Sequence, residues 1–414
     1  MPSDIFVVGG GVAGLTLARD LALGGRRVHV IEREDRTGGQ VTALDVEAHQ
    51  LDAAAESFAT RTTAVSALIA ELGLSDRVVM PLDAPAWIYR EDGTALPLPA
   101  TGLLGVPSSP FAADVRASIG VAGAARAWAD RVLPRRVGAD ATTFGDLVTA
   151  RMGRRVTERL VGPITRGVHS AEPDALPIAA AHPALAGLVT DKRSLARAIR
   201  EVRRIAPAGS AVASLCGGMH TLPIALAASA VEAGVDLHRG TVATEISASS
   251  VTFDGRTHHG EVVMAAPPAG APTRNVTLVT VVASARAWQS APRGTGVLVT
   301  RGAPGVSARA LTHVSAKWEW VARAFEGKQV VRLSYDGATP EPLAKGVNDA
   351  ALLMGSAPEA IHTVLERRWA RATPLAEADR GTIRWVGEAA SGTGLAAVVA
   401  HARRTATEML ASSK

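Results

Sequence analysis

The sequence predicts an α/β protein in which a helix-covered parallel sheet is joined to an antiparallel sheet and a helical segment. Three observations support this fold class. Residues 4–39 read as an apolar run, a glycine-rich turn, a helix and a second apolar run. Residues 276–335 contain several short runs of β-like composition. Residues 112–190, in contrast, lack strand alternation and favour helices.

The opening segment has the order of a strand–turn–helix–strand unit. Ile5–Val8 is a short apolar run typical of a buried parallel strand. Gly9, Gly11 and Gly14 follow with the spacing G-x-G-x-x-G, and an amphipathic helical stretch comes next. A second apolar run, Val28–Ile31, completes the unit.

Each residue type in this unit suits the binding of a dinucleotide. Gly9 allows a sharp turn, Gly11 leaves room for a diphosphate, and Gly14 lets the helix pack closely on the sheet. The helix N-terminus offers free N–H groups to the anion. Glu32 lies 18 residues after Gly14, where it can accept hydrogen bonds from ribose hydroxyls. The alternative is a βαβ turn without a ligand.

A second glycine pair indicates which dinucleotide binds. Arg36, Gly38 and Gly39 follow Glu32 as E-x-x-x-R-x-G-G. This pattern resembles the FAD-binding signature of amine-oxidase-like flavoproteins, although the glycines could also form only a turn. The resemblance implies FAD as a prosthetic group, held here by Gly9, Gly10, Gly11, Val12, Ala13, Gly14, Glu32, Arg33, Gly39 and Gln40.

Composition limits the classes of partner. The 414 residues are 47% hydrophobic and only 4% aromatic, with a net charge of +5. The basic residues are spread along the chain, so we expect no binding to nucleic acid. The slight positive excess suits an acidic substrate or an anionic membrane surface, and it is also what an ordinary solvated surface shows.

The single cysteine and the N-terminal residues indicate in which cellular compartment we expect the protein. Cys216 is the only cysteine, so no intramolecular disulfide can form, which fits a reducing environment. Its place beside two glycines would allow a reactive thiol, but no neighbouring residue in the sequence favours the thiolate, so we expect a buried, apolar role. We expect no signal peptide and no membrane-spanning helix. The sequence therefore predicts a cytoplasmic protein, with peripheral contact to the inner face of a membrane left open.

The segment after the second glycine pair carries a more specific resemblance. Residues 51–61 contain D-x-x-x-E-S-F-x-x-R, ending at Arg61, and E-L-G-L follows. This pattern resembles bacterial coproporphyrinogen and protoporphyrinogen oxidases, in which the segment passes beside the flavin. The family's usual Gly-Pro is replaced here, and Ser57 could instead cap the following helix. The resemblance implies cofactor contacts from Ala54, Ala55, Glu56 and Ser57.

A second match to the same family lies in the helical segment. Residues 143–176 contain R-L-V-x-P and then G-V-x-x-x-x-P-x-x-L. In the family this segment covers the porphyrinogen pocket and can touch the membrane. His169 lies within it, and we expect a capping or surface role for that side chain rather than a role as a base.

The C-terminal part returns to the flavin. Gly217-Gly218 and Leu222-Pro223 precede an apolar helix and a strand, and residues 261–267 form an apolar strand with an Ala-x-Pro exit. In the family, a closing helix points its N-terminus at the flavin pyrimidine, where its partial charge stabilises the reduced anion. The link before that motif is shorter here than in the family. The resemblance implies further contacts from Val242, Gly387, Glu388, Thr393, Gly394 and Leu395.

Substrate contacts are predicted on the antiparallel sheet. Residues 87–98 read as a hairpin turning at Asp92-Gly93. Residues 308–318 resemble a family strand ending in S-x-K-W. Lys317 and Arg61 are candidates to pair with propionate carboxylates. No side chain is convincing as a catalytic base, so the chemistry is assigned to flavin N5 itself, and no metal is expected.

The resemblance covers nearly the whole chain and implies a domain plan within the α/β (α+β) class. It implies a Rossmann-like FAD domain of the p-hydroxybenzoate-hydroxylase/amine-oxidase type, an antiparallel-sheet substrate domain and a helical cap. The predicted limits are residues 1–75, 207–268 and 380–414 for the FAD domain, residues 76–104, 191–206 and 269–379 for the substrate domain, and residues 105–190 for the cap.

The resemblance also implies a reaction. Molecular oxygen would take six electrons from a porphyrinogen in three flavin cycles of haem biosynthesis, each releasing hydrogen peroxide. Coproporphyrinogen III is favoured over protoporphyrinogen by analogy, and a ferrochelatase is an implied pathway partner. Two alternatives stay open. One is a different flavin oxidase or desaturase acting on an amine or isoprenoid. The other is a non-catalytic FAD scaffold.

Overall fold

The computed structural model describes residues 4–100, 102–169, 171–182, 185, 193–205, 212–267, 273–372 and 381–412. The chain divides into two compact units. Unit 1 comprises the described residues within Met1–Met80, Ser210–Val276 and Arg367–Lys414, and unit 2 those within Pro81–Gly209 and Thr277–Glu366. Both ends of the chain therefore belong to unit 1. The three-part domain plan stays a prediction.

Unit 1 is built on a five-stranded sheet in which every pair of neighbouring strands is parallel, as the opening motif predicts. Apolar side chains dominate its central strands, which are covered on both faces. The strand order is β12-β2-β1-β15-β21. The strands are β1 (Ile5–Val8), β2 (Val28–Ile31), β12 (Asp236–His238), β15 (Glu261–Met264) and β21 (Arg384–Trp385).

Helices cover one face of this sheet. They are α1 (Val12–Leu23), α9 (Thr221–Glu232) and α15 (Leu395–Ala411). Leu17 and Leu21 of α1 are fully buried in one cluster with Val398, Ala402 and other residues of α15. Burying one leucine side chain contributes about 1.5–3 kcal/mol, so the cluster fixes these helices against the sheet. The remaining helices of unit 1 are α2 (Ala64–Glu71) and α14 (Glu388–Ser391).

Short antiparallel elements complete unit 1. A hairpin formed by β13 and β14 contributes Val251 and Phe253 to the core on the other face of the parallel sheet. Three further strands form a small antiparallel sheet, in the order β5-β11-β6. The elements are β3 (Ala43–Val46), β4 (His49–Asp52), β5 (Phe58–Ala59), β6 (Val78–Val79), β11 (Val212–Leu215), β13 (Ser250–Phe253) and β14 (Arg256–His259).

Unit 2 contains most of a seven-stranded sheet of order β20-β16-β19-β18-β17-β7-β8, in which the start of β16 and the end of β20, from Arg367, belong to unit 1. Its strands are β7 (Trp87–Tyr89), β8 (Ala95–Pro97), β16 (Thr273–Ser284), β17 (Gly296–Val299), β18 (Ala310–His313), β19 (Gln329–Asp336) and β20 (Ala360–Ala372). The predicted hairpin forms with Trp87 opposite Pro97. It joins the sheet through a parallel pairing of β7 with β17, which the sequence did not predict. A separate two-stranded ribbon pairs β9 (Gly102–Leu103) with β10 (Val106–Pro107).

The predicted helical segment is also confirmed within the described residues. Within the predicted limits lie α3 (Ala113–Trp128), α4 (Phe144–Met152), α5 (Arg154–Val156), α6 (Gly162–Ile164) and α7 (Ile178–Ala181). A further helix, α8 (Leu195–Ile205), follows beyond the predicted segment. Two π-helical turns, Thr157–Val161 and Thr165–His169, adjoin α6. The side chain of His169 lies outside the described residues, so its role stays a prediction. Elsewhere in unit 2 are α10 (Arg286–Gln289), α11 (Val314–Lys317), α12 (Glu319–Ala324) and α13 (Pro342–Met354).

Three local interpretations of the sequence are wrong. The strand predicted through residue 318 ends at His313 and continues as the helical turn α11. Thr63, not Ser57, precedes α2, so Ser57 is not its cap. Cys216 is exposed rather than buried, because it lies in a turn after β11 where Arg77 hydrogen-bonds to its backbone carbonyl. Within the described residues, no helix combines the length and the apolar character needed to cross a membrane.

A buried carboxyl group in unit 2 makes stability depend on pH. Asp349 is 1% exposed. Its Oδ2 accepts hydrogen bonds from the Ser307 and Ala308 amides and from the Tyr335 hydroxyl. Burial raises the pKa of Asp349 above its ordinary value of 3.8, although the two amides lower it. The contribution of this group to stability is therefore complete below the unfolded pKa and is lost as the pH rises through the folded pKa.

We expect Asp349→Asn to remove this pH dependence. In the wild-type protein, the unfolding free energy lost as the pH rises amounts to about 1.4 kcal/mol for each unit by which the folded and unfolded pKa values of Asp349 differ. Urea titrations at a series of pH values above 3.8 measure the slope of the unfolding free energy. Asp83→Asn, at an exposed position of the same unit, is the matched control. An unchanged slope in Asp349→Asn would contradict the assignment.

Candidate functional site

The glycine turn between β1 and α1 shows why each glycine is needed. Gly9 has a φ of +118°, and a Cβ there would lie 3.0 Å from backbone atoms of Ala265 and Ala266. A Cβ at Gly14 would overlap the carbonyl oxygen of Gly9. Gly11 differs, because a Cβ there would meet only the Cα of Gly39, at 4.0 Å. Gly9 and Gly14 therefore serve the packing of the chain, and Gly11 keeps an adjacent space open.

Two helix N-termini lie at one end of unit 1. A Cβ at Gly387, the N-cap of the short helix α14 that precedes α15, would lie 3.4 Å from the Cβ of Ala13 at the start of α1. At the other end, Gly24 after α1 packs against Leu410 of α15. The two helices are thus parallel and side by side. Neither N-cap residue, Gly11 or Gly394, offers a capping side chain, so the first amides of both helices are available to an anion.

Glu32 organises the turn from its place at the end of β2. Its Oε2 accepts a hydrogen bond from the Gly10 amide at 2.7 Å, and its Oε1 accepts one from the Glu34 amide at 2.9 Å. A carboxylate offers about four acceptor positions, so capacity remains for ribose hydroxyls. Thr241 donates its amide to the Glu32 carbonyl, which places the exposed Val242 on the neighbouring loop. Arg33 is exposed and pairs with Glu34.

The second glycine pair lies against the first. The Gly38 amide donates to the Gly10 carbonyl at 2.9 Å, and Gly38 forms an isolated bridge with Gly11. Gly39 has a φ of +58°, and a Cβ there would lie 3.3 Å from the Gly11 Cα. Arg36 stabilises this loop by donating to the Gly39 carbonyl. The structure therefore brings the two glycine motifs together beside the open space at Gly11.

A buried pair supports the segment from Ala54 to Ser57. Asp52, at the end of β4, accepts hydrogen bonds from the amides of Met219 and His220. The His220 Nδ1 also lies 3.0 Å from Asp52 Oδ1, and both side chains are about 5% exposed or less. The four residues that follow Ala53 are half-buried, and Ser214 donates its hydroxyl to the Glu56 carbonyl. These contacts hold the segment in unit 1 with the glycine motifs.

Glu388 is the most unusual charged residue of the site. Its side chain is only 18% exposed, and its Oε1 lies 3.5 Å from Arg371 Nη2. Burial raises the pKa of Glu388, whereas the charge of Arg371 opposes that rise. Its Oε2 is buried without a hydrogen-bond partner among the described residues. An unpaired acceptor at this place would suit a ligand that donates a hydrogen bond.

Gln40 connects the N-terminal loop to β20. Its Nε2 donates to the Ala370 carbonyl at 3.1 Å, and Arg371 is the next residue. Thr393 and Gly394 are exposed at the N-terminus of α15, and Leu395 is half-buried. The cofactor residues predicted from the sequence thus all lie in unit 1, on the loops described above and in the first turns of the helices that follow them.

The predicted substrate residues lie in different units. Arg61 is exposed in unit 1, whereas Lys317 is half-buried in unit 2. The Lys317 Nζ lies 5.0 Å from the ring centroid of Trp318. Sequence reasoning gave no role to His220 or Arg371. For Arg371, the sequence offered one indication of a role. The residue lies just after Arg368-Trp369 in a stretch where polar and apolar residues alternate as in a strand.

The residues present fit a flavin dinucleotide. The open space at Gly11 and the amides of α1 suit a diphosphate, and Glu32 suits a ribose. The uncapped N-terminus of α15 suits a group that becomes anionic on reduction. The unpaired Glu388 oxygen suits a hydrogen-bond donor. We observe no feature of this part of unit 1 that conflicts with such a group.

Comparison with known proteins agrees with this geometry. Residues 12–304 match the family of flavin-containing amine oxidoreductases. Coproporphyrinogen III oxidase of Mycobacterium tuberculosis is 30% identical over 99% of this chain and 98% of that protein. Coproporphyrinogen III oxidase of Bacillus subtilis is 24% identical over 79% of this chain and 76% of that protein.

Solved structures share the fold. A candidate protoporphyrinogen oxidase from Exiguobacterium superimposes with a TM-score of 0.83 at 20% identity, covering 100% of this chain and 99% of that one. A putrescine oxidase bound to putrescine superimposes with a TM-score of 0.64 at 16% identity, covering 99% of each chain. The fold class predicted from the sequence is therefore confirmed.

Proposed function

We propose that this chain, which belongs to the family of flavin-containing amine oxidoreductases, oxidises a porphyrinogen in haem biosynthesis with FAD as its prosthetic group. The observation that carries the proposal is the full-length similarity to coproporphyrinogen III oxidases, joined to a cradle of two glycine motifs and two helix N-termini in unit 1. Coproporphyrinogen III is the proposed substrate.

The proposed roles of the residues follow from their placement. Gly11 and the first amides of α1 bind the diphosphate, and Glu32 binds the adenosine ribose. The N-terminus of α15, from Gly394, stabilises negative charge on the ring system. FAD supplies the hydride chemistry when bound. Arg61 and Lys317 are proposed to bind substrate carboxylates, each acting as a cation on an exposed or half-buried surface.

The proposed reaction balances with molecular oxygen as the acceptor. Loss of six electrons and six protons converts the porphyrinogen to a porphyrin, and three oxygen molecules take them up as three molecules of hydrogen peroxide. The family needs no side-chain base, and the proposal names none. Peripheral contact with a membrane and a ferrochelatase partner remain predictions of the sequence.

The test is turnover by the purified flavoprotein in air. Coproporphyrinogen III and protoporphyrinogen IX are supplied separately, and the porphyrin Soret band is followed with oxygen uptake and peroxide release. We expect the band to grow with coproporphyrinogen III and three peroxides to form per porphyrin. The flavin-free Gly11→Val protein is the control for non-enzymatic oxidation. Bound flavin without turnover of either substrate would overturn the proposal in favour of the scaffold or of another oxidase.

A further inference from the structure

A cluster of metal-binding side chains lies on the parallel sheet of unit 1, apart from the residues given to the cofactor. It consists of His29 on β2 and Asp236 and His238 on β12. In the sheet register, His29 is opposite Asp236. His238 lies two residues further along β12, and side chains two apart on a strand share one face. The pairing of β2 with β12 therefore places all three side chains on the same face.

The distances among the three donor atoms are the key observation. His29 Nδ1 lies 3.3 Å from Asp236 Oδ2, His238 Nε2 lies 3.5 Å from the same oxygen, and the two nitrogens are 3.5 Å apart. A tetrahedral metal ion with bonds of about 2.0–2.1 Å has ligands about 3.3–3.4 Å apart. The three atoms thus already form the face of a tetrahedron.

The residues around His29 and His238 suit a role of both imidazoles as metal ligands. Asp4 Oδ2 lies 3.8 Å from His29 Nε2, the nitrogen that faces away from the cluster, while Arg27 lies beside the other Asp4 oxygen. A carboxylate behind a ligating histidine is a recurrent feature of zinc sites, although Asp4 stands here at ion-pair distance and makes no hydrogen bond to His29 Nε2. Phe6 stacks on the His29 ring with centroids 5.0 Å apart, and Phe253 contacts His238. Both imidazole rings therefore pack against an aromatic side chain beside the cluster.

We propose that His29, Asp236 and His238 bind one divalent transition-metal ion, zinc being the best match to two imidazoles and one carboxylate. Because β12 is a three-residue strand at the edge of the sheet, the ion would bond it to β2 across the sheet. The proposed site is independent of the proposed oxidase function. It leaves the fourth coordination position to water.

Zinc titration of the untagged, flavin-loaded protein tests the proposal. We expect calorimetry to give one zinc per chain, cobalt to give the visible bands of a tetrahedral site, and zinc to raise the melting temperature. Outer-shell substitutions typically weaken metal affinity about 10–100-fold, so Asp4→Asn should do the same. Asp236→Asn and His238→Gln, which remove ligands, should weaken zinc binding by at least about tenfold.

The matched control is His259→Gln, which alters an exposed histidine of the neighbouring hairpin. We expect it to bind zinc as the wild type does, and flavin content to be the same in every variant. Asp236 is largely exposed, so its variant should fold even if His29 variants do not. Zinc binding that is undetectable in the wild type, or unchanged in Asp236→Asn and His238→Gln, would overturn the site and show only a hydrogen-bonded histidine pair.

Discussion

The Gly11→Val variant is expected to fold and to be purified without flavin. Gly11 has φ −73° and ψ 176°, an extended conformation that any residue adopts. A Cβ there meets only the Gly39 Cα at 4.0 Å, so the chain itself tolerates a side chain. The added methyl groups would fill the space beside the first amides of α1, where the diphosphate is proposed to bind.

The expected loss of affinity for FAD is several factors of ten, each corresponding to about 1.4 kcal/mol, because a smaller loss would leave flavin bound through purification. Flavin absorbance per chain after purification, and after incubation with added FAD, measures it. Circular dichroism should match the wild-type apoprotein. Ala228→Val places the same side chain at an exposed position of α9 and should keep its flavin. Full flavin content in Gly11→Val would show that the opening motif does not hold the cofactor.

Replacing Asp130 by alanine is expected to give the largest loss of stability. Asp130 and Arg151 are almost fully buried, with Asp130 Oδ1 2.6 Å from Arg151 Nε. The same carboxylate accepts hydrogen bonds from the Ser194 hydroxyl and from the Leu195 and Ala196 amides at the start of α8. Removing it leaves a buried guanidinium without its counter-charge. Breaking a buried pair in this way costs about 3–5 kcal/mol.

Urea unfolding followed by tryptophan fluorescence measures this loss. The exposed pair of Arg154 and Glu158 provides the control in the same helical segment. Glu158→Ala should change stability by less than about 1 kcal/mol, because exposed pairs contribute little. If Asp130→Ala unfolds at the wild-type urea concentration, the carboxylate does not organise α8 and its neighbours.

Local patterns in the sequence were reliable where short-range sterics decide the structure. The first strand, the helix and the second strand have the predicted limits because glycine spacing and apolar runs act within a few residues. Predictions that needed distant neighbours were weaker. Cys216 looked apolar and buried but lies in an exposed turn. The expected strand through residue 318 ends early because Val314–Lys317 form a helical turn.

The residues of the candidate site also fall into two groups, those located from the sequence and those found only in the structure. The sequence located the glycine motifs and Glu32, whose roles depend on their own backbone. It gave no partner for Asp52, which binds His220 from 168 positions away. It also gave none for Glu388, which lies against Arg371 on β20. Such partners depend on which strands and loops become neighbours, and a single sequence does not encode that as a local pattern.

By itself, the sequence determined the fold class, the flavin family and the glycine-rich turn proposed to hold the cofactor, because glycine conformation and apolar periodicity are local properties. Only the tertiary structure decided that α1 and α15 run parallel with their N-termini together. It alone brought His29 and His238, 209 positions apart, within 3.5 Å of each other. The physical reason is that the register of parallel strands is set by packing across the whole sheet, which joins residues irrespective of their separation along the chain.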